Sequence, residues 1–337
     1  MPFLPYLHAV AERHNLAAGE ACEAMQGILA GEVSAPQIAA FLTALRMKGE
    51  TVEELVGFAR AMRRVAVRVD PGLNGEPLLD TCGTGGDGQS TFNISTIAAF
   101  VVAGAGVHVA KHGNRSMSSQ CGSADLLESL GIAVPGAPEL VARAIREVGI
   151  GFLFAPAIHT AMKHAQPVRA ELKMRTVFNL LGPLTNPAGA TAQLVGAPSE
   201  HAAELMAGAL AELGLTRGFV VYGSDGLDEI TITGPTIAFE IEAGKVQRRT
   251  FLPEDFGTER VDGAALKGGD REANAAIARE VLGGAHGPRR EIVLVNAAAA
   301  LVVTGKSADF RQAMRIAGAS IDSGAARKKV EDLARFR

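Results

Sequence analysis

The first 68 residues read as helices only, because their apolar positions recur at helical spacing. Ile38, Phe41, Leu42 and Leu45 fall at i, i+3, i+4 and i+7 behind Ser34 and Pro36, which predicts a helix capped by Ser34 with proline in its first turn. Thr51 and Glu54 make a capping-box pair ahead of Leu55, Phe58, Ala59 and Met62, the same stripe again. Adjacent amphipathic helices of this size pack as a small bundle, and the apolar surface left over suits a partner subunit. Over residues 65–77 the pattern dissolves into Asp70, Pro71, Gly72, Asn74 and Gly75, the turn residues of a linker.

Beyond residue 78 the period changes. Short apolar runs at 78–81, 107–110, 152–154 and 219–222 alternate with helical stretches such as 139–148 and 200–213. This alternation marks a mostly parallel sheet flanked by helices. The expected fold class is therefore α/β with a smaller all-helical N-terminal domain, residues 1–68 forming the helical part and 69–337 the α/β part. Residues 292–303 are apolar on all sides and read as a buried helix, with a strand left open by periodicity alone. The charged segment 326–337 reads as an exposed helix, and there is no internal repeat or low-complexity tract.

Bulk composition narrows the classes. A 337-residue chain that is 47% hydrophobic has material for a sizeable core. Its 33 basic and 36 acidic residues give a net charge of −3, which argues for neither a nucleic-acid nor a membrane partner. Cys22, Cys82 and Cys121 are odd in number and widely spaced, which fits reduced thiols. Cys82 lies beside a glycine loop but has no activating partner in sequence, so it reads as a buried bystander. The N-terminus lacks the pattern of a signal peptide and no apolar run reaches the ~18 residues of a span, so the expected compartment is the cytoplasm.

The chemistry concentrates between Asp80 and Ser123, in DTCGTGGDGQSTFNISTIAAFVVAGAGVHVAKHGNRSMSSQCGS. A phosphate needs many donors at close range, and backbone amides supply them only where no Cβ intervenes. Gly83, Gly85, Gly86 and Gly88 thus read as a loop that turns successive N–H groups toward an anion. Asn93, Ser95 and Thr96 precede the apolar run 97–102 and read as the capped start of a buried helix, whose free amides face the same anion. A strand at 107–110 delivers Lys111, His112, Gly113, Asn114 and Arg115, and a third capped helix begins at Ser123. Three anion-facing devices fall within about one βαβ unit. Gly83, Gly85 and Gly88 match the spacing of a dinucleotide fingerprint, but no acidic residue follows about 20 residues on, and a Walker lysine is missing.

Two other constellations bear on function. Asp228 and Glu229, in GSDGLDEITIT at 223–233, can both reach one hydrated Mg²⁺, an ion that takes oxygen ligands and bridges phosphates. Alone such a pair reads as solvated surface charge; the cradle reverses that weighting. Residues 154–182 hold Arg169 and Arg175, either of which as a guanidinium suits a substrate carboxylate, the plainer reading being helix-surface charge. His159 and His164 stand at i, i+5, the wrong spacing for a zinc site on one helix face.

Taken together, GTGGD at 83–87, NIST at 93–96, KHGNRS at 111–116, GSAD at 122–125, the FAP-H-AM-PVR pattern at 154–169, RTxFNLLGPLxNP at 175–187 and GLDE at 226–229 resemble the anthranilate phosphoribosyltransferase family over nearly the whole chain. The resemblance implies the nucleoside phosphorylase or class IV phosphoribosyltransferase fold, with helices from about 165–185 joining the N-terminal helical domain. It implies transfer of phosphoribose from 5-phosphoribosyl 1-pyrophosphate (PRPP) to the amine of anthranilate, with loss of pyrophosphate, in tryptophan synthesis. Carried onto this sequence, the PRPP-binding positions are Gly83, Gly86, Asp87, Thr91, Asn93, Ile94, Ser95, Thr96, Lys111, His112, Gly113, Asn114, Arg115, Ser116, Met117, Ser118, Ser119 and Ser123. The anthranilate positions are Gly83, Asn114 and Arg169, with His112, His159 and Pro183 along its route. Ser95, Asp228 and Glu229 would bind two Mg²⁺ per subunit, Lys111 would stabilise the leaving group, and no general base is expected because an arylamine is already unprotonated at neutral pH. The family packs as a homodimer through its helical domain. Thr160, Lys173 and Gln120 depart from the family's usual proline, glycine and lysine at the motif edges. A pyrimidine nucleoside phosphorylase-like enzyme and a nucleic-acid-binding non-enzyme of the same fold are the alternatives. The −3 charge and the intact Asn114, Arg169 and Asp228–Glu229 set weigh against the latter.

Overall fold

The computed structural model of the chain describes residues 3–116, 120–134 and 136–337. It opens with helices α1 (Leu4–Ala11), α2 (Ala18–Ala30), α3 (Ala35–Lys48) and α4 (Val52–Val65). Ser34 and Thr51 both stand at the predicted cap positions, and of the two Thr51 closes a side-chain cap bond. Ser34 N–H donates to Gln37 Oε1 at 3.2 Å, while Thr51 Oγ1 and Glu54 Oε2 exchange bonds with each other's backbone amides at 3.3 and 2.9 Å. The two predicted stripes are buried throughout, and Phe41 meets Phe58 edge-on. Glu54 has no exposed surface, and its charge is met by Lys48 Nζ at 2.9 Å.

The α/β part runs β1 (Leu78–Gly83), α5 (Ile94–Gly104), β2 (His108–Gly113), α6 (Ser123–Ser129), α7 (Pro138–Glu147) and β3 (Ile150–Phe154). Short helices α8 (Ala155–Ile158), α9 (Gln166–Leu172) and α10 (Phe178–Leu184) intervene before β4 (Ala192–Gly196), α11 (Glu200–Glu212), β5 (Arg217–Gly223), β6 (Thr236–Glu242) and β7 (Lys245–Phe251). The chain ends with α12 (Pro253–Phe256), α13 (Arg271–Leu282), α14 (Pro288–Val303), α15 (Phe310–Asp322) and α16 (Ala325–Arg335).

The strands form one sheet in the order β3-β2-β1-β4-β5-β6-β7; β3 to β5 are parallel, and β6 and β7 add antiparallel at one edge. After β1 the chain lays β2 on one side, and β4 later fills the other. The carboxyl ends of β1 and β4 therefore mark the place where open α/β sheets bind ligands. Both strands end there on glycine, Gly83 paired with Gly196.

Side chains alternate between two apolar cores, as a strand's period of two requires. Phe219 and Val221 of β5 join α5, α13, α14, α15 and α16 on one face. Val220 joins the other core, which α1 to α4 share with Val168, Phe178, Leu181 and α11. Residues 292–303 are helical, within α14, and almost wholly buried. Two expectations are corrected. β2 runs on to Gly113, so Lys111 and His112 are strand residues rather than loop. The C-terminal helix is not simply exposed: α16 packs along α5 and buries Ala326, Val330 and Leu333, an i, i+4, i+7 face. No helix among the described residues is long and apolar enough to cross a membrane.

Candidate active site

Glycine at both strand ends lets the segment carrying Asp228 lie directly across them. A Cβ on Gly83 would stand 2.5 Å from Asp228 Oδ2, and one on Gly196 only 1.6 Å from the Asp228 carbonyl oxygen. Past Gly83 the chain turns through Gly85, Gly86 and Gly88, with φ of 66°, 69° and 77°, the left-handed region that glycine tolerates best. Other elements hold this loop. Gly85 N–H donates to Asp228 Oδ2 at 2.8 Å, Thr84 N–H to Gly196 O at 3.0 Å, and Gln89 Nε2 to Asp225 O at 2.8 Å. Arg175 Nη1 donates to the carbonyls of both Gly85 and Gly86, at 2.6 and 3.1 Å. Asp87 accepts from Gln89 N–H, and Thr91 bridges to Lys267.

Helix α5 begins beside the loop. Asn93 occupies its cap position without a side-chain cap bond. Its amide instead donates to Cys121 O and accepts from Asn274 Nδ2, both at 3.0 Å. The Ser95 amide is taken by Glu229 Oε1 at 3.0 Å, while Ile94 and Thr96 are buried. The acidic pair thus grips one amide on each cradle element, Asp228 on the glycine loop and Glu229 on the helix. Burial, then repulsion from Glu229 and Asp87, pushes Asp228 well above the usual carboxylate range. Burial likewise pushes Glu229 up to about 7, against the opposing pull of Lys111 and Ser95. Crowded, buried oxygen donors of one sign fit a hard divalent cation. Among the described residues no three His, Cys, Asp or Glu side chains close a metal site unaided, so water and phosphate oxygens would have to complete its shell.

Near the end of β2, Lys111 is buried and donates from Nζ to Thr81 O at 2.5 Å, which puts its ammonium on β1 just before the loop. His112 N–H donates to the buried Asp80 Oδ1 at 3.0 Å, and its Nδ1 lies 3.1 Å from Gly182 O. The His112 and His159 rings meet edge-on at 5.2 Å, and each has a buried Nε2 with no partner among the described residues. Burial drives His112 down to about 4 and His159 to about 3, so both imidazoles are neutral at physiological pH. Pro183 is buried inside α10. Arg169 is half-buried over the Phe178 ring and forms no ion pair among the described residues.

Gly113 closes the strand, and Asn114 is exposed, its Oδ1 taken by the Arg115 amide at 2.7 Å. Arg115 pairs with Asp125 at 2.9 Å and with Glu128. Asp125 Oδ2 also accepts from the amides of Ser116 and Gly122, and Oδ1 accepts from Arg271. Ser123 starts α6, where Asp125 takes the amide of the preceding Gly122 and the Ala124 N–H donates to Asn114 O at 3.2 Å. Met117, Ser118 and Ser119 lie outside the described residues. The sequence reading missed Gly196, Asn274, and Asn186, whose Nδ2 donates to Asp80 Oδ2 at 2.8 Å and Ala110 O at 2.9 Å.

A profile of the glycosyl transferase family a/b domain matches residues 75–327, and that of the family's helical bundle domain matches residues 4–66. The anthranilate phosphoribosyltransferase of Solibacter usitatus is 68% identical over 336 residues, 100% of this chain and 99% of its own length. The chain belongs to the anthranilate phosphoribosyltransferase family. Among solved members, the anthranilate phosphoribosyltransferase of Thermus thermophilus superposes with a TM-score of 0.92 at 45% identity, covering 98% of each chain. The Saccharomyces cerevisiae anthranilate phosphoribosyltransferase in complex with PRPP and Mg is similar at TM-score 0.89 and 29% identity, covering 98% of this chain and 96% of that one.

Proposed function

We propose that this chain is a pentosyltransferase that moves the phosphoribosyl group of PRPP to the amine of anthranilate and releases pyrophosphate. The observation that carries this reading is the acidic pair, which reaches both the glycine loop and the start of α5 at the sheet's switch point. In it, loop amides at 83–87 and helix amides at 93–96 hold the diphosphate and sugar phosphate. Mg²⁺ ions held by Asp228, Glu229 and Ser95 would supply charge stabilisation for the departing pyrophosphate. Lys111 acts by its field, since its ammonium is already on Thr81 O.

Arg169, a guanidinium without an anion among the described residues, takes the anthranilate carboxylate. The neutral imidazoles of His112 and His159 offer their Nε2 atoms to the aromatic substrate without placing a cation beside its amine. That amine attacks the anomeric carbon as the C1–O bond to pyrophosphate breaks, then loses its proton to solvent. Catalysis is therefore positioning and leaving-group stabilisation. We infer further that the helical domain, 1–68 joined by 165–185, forms a homodimer contact through α1 and α3, where Leu4 is 47% and Met47 71% exposed. The compartment we propose is the cytoplasm.

The deciding experiment follows anthranilate fluorescence. It should fall on addition of PRPP and Mg²⁺, with stoichiometric pyrophosphate. Phosphate-dependent cleavage of thymidine or uridine with no loss of anthranilate would overturn the reading.

A further inference from the structure

Packing does not fix the glycine loop. A Cβ on Gly85 or on Gly88 would meet nothing within 4 Å, so no side chain packs against the open face of either glycine. Consecutive left-handed glycines in open space have many backbone conformations to lose. Something polar must select one arrangement. Arg175, in the connection between α9 and α10, reaches across 90 residues of sequence, and its Nη1 takes the carbonyls of Gly85 and Gly86 together. With both carbonyls held on that side, the peptide planes between them are fixed, and the intervening N–H vectors with them.

The anchor is itself anchored. Arg46 near the end of α3 donates from Nη1 to the Arg175 carbonyl at 2.9 Å, and the adjacent Leu45 is buried in the bundle core. A continuous path thus runs from the N-terminal helices through Arg175 to the loop. Among the described residues Arg175 pairs with no carboxylate, and its buried Nη2 has no partner.

We propose that Arg175 is a positioning residue which, backed by Arg46, holds the glycine loop in its diphosphate-binding shape, so that PRPP affinity is set partly by the helical domain. The inference rests on the loop being the diphosphate site. Its specific consequence is that losing the brace lowers the fraction of molecules with a competent loop, and apparent affinity falls by that fraction.

Three variants and two measurements test it: Arg175→Ala, Arg175→Lys and Arg46→Ala, each compared with the unaltered chain in steady-state kinetics and in backbone hydrogen exchange without substrate. For Arg175→Ala the KM for PRPP should rise on the order of 10- to 100-fold, with kcat and the anthranilate KM within about threefold. Exchange across residues 84–89 should quicken by about tenfold or more while the β1 and α5 cores stay protected. Lysine keeps the charge but cannot bridge two carbonyls from one rigid fork, so Arg175→Lys should recover little. Arg46→Ala should show the same pattern, weaker. If Arg175→Ala fails to fold, the lysine and Arg46 variants carry the test alone. Unchanged loop exchange, full rescue by lysine, or a selective rise in the anthranilate KM would overturn the brace. The exchange measurement needs no turnover, so absence of transferase activity in the unaltered chain would refute the functional reading separately.

Discussion

Two charged clusters lie toward the carboxyl ends of the strands, and they differ in charge balance. In one, Arg115 and Arg271 meet Asp125 and Glu128 within the chain. Despite the burial that opposes it, bonds from Gly122 and Arg115 hold Asp125 below the usual carboxylate range, and Arg115 does the same for Glu128. In the other, the cations that act on Asp80, Asp87, Asp228 and Glu229 among the described residues are Lys111 and Arg175, and burial pushes Asp80, Asp228 and Glu229 upward. The first cluster is finished as folded. The second is a surplus of negative charge in a dry place, which is sustainable when a cation enters. Similar residue types at neighbouring sites thus do different work, and the sign of the carboxylate shift separates them.

Removing the surplus should have the largest effect. Asp228→Asn with Glu229→Gln should cut kcat/KM for PRPP on the order of 10³-fold, with excess Mg²⁺ restoring little. Near-normal turnover would mean that the acidic pair has no metal role.

Next in size is a pH effect on the metal-free protein. The Glu229 carboxyl titrates near 4.5 when unfolded and at about 7 when folded, so folding favours its protonated form. Its stabilising contribution is complete below about pH 4.5 and is lost as pH rises through about 7, roughly 3 kcal/mol in all. Asp228 shifts in the same direction. Metal-free melting temperature should therefore fall between about pH 5 and pH 8, and Mg²⁺ should restore it at the upper end but not the lower. Glu229→Gln should flatten the slope; a steep slope surviving that change would assign it to other groups.

Much of this architecture was legible locally. The cap positions of Ser34 and Thr51 and the stripes behind them depend on residues within about two turns of each other, and they fall where the sequence puts them, with Thr51 closing its side-chain cap bond. The composition of the glycine loop, the Asn93 helix start and the acidic pair also announced a phosphate and metal chemistry. What escaped depends on distant partners. β2 continues through Lys111 to Gly113 because β3 pairs with it as far as Phe154. The β6–β7 hairpin turns on Ala243 and Gly244, with φ of 50° and 76°, and Ala-Gly carries none of the Asn-Gly or Asp-Gly signal for such a turn. Asn93 looked like a helix cap, but Asn274, 181 residues away, takes its side chain. In the α16 segment the charged residues hid an apolar face that only the position of α5 explains.

The smallest effects belong to the balanced cluster, and they test the comparison hardest. Arg271 is half-exposed, and Asp125 keeps Arg115 and the amides of Ser116 and Gly122 when it is gone. Arg271→Ala should therefore cost about 1 kcal/mol, a few degrees of melting temperature. Glu128→Gln removes only the outer carboxylate, leaving Arg115 on Asp125, and should move the melting temperature by less than about 2 °C and kcat/KM for PRPP by less than about threefold. A saturated network loses one redundant partner, whereas the acidic pair has none to spare. Should Glu128→Gln cripple turnover as the Asp228 and Glu229 changes do, internal charge balance would no longer distinguish scaffold from catalytic machinery at these strand ends.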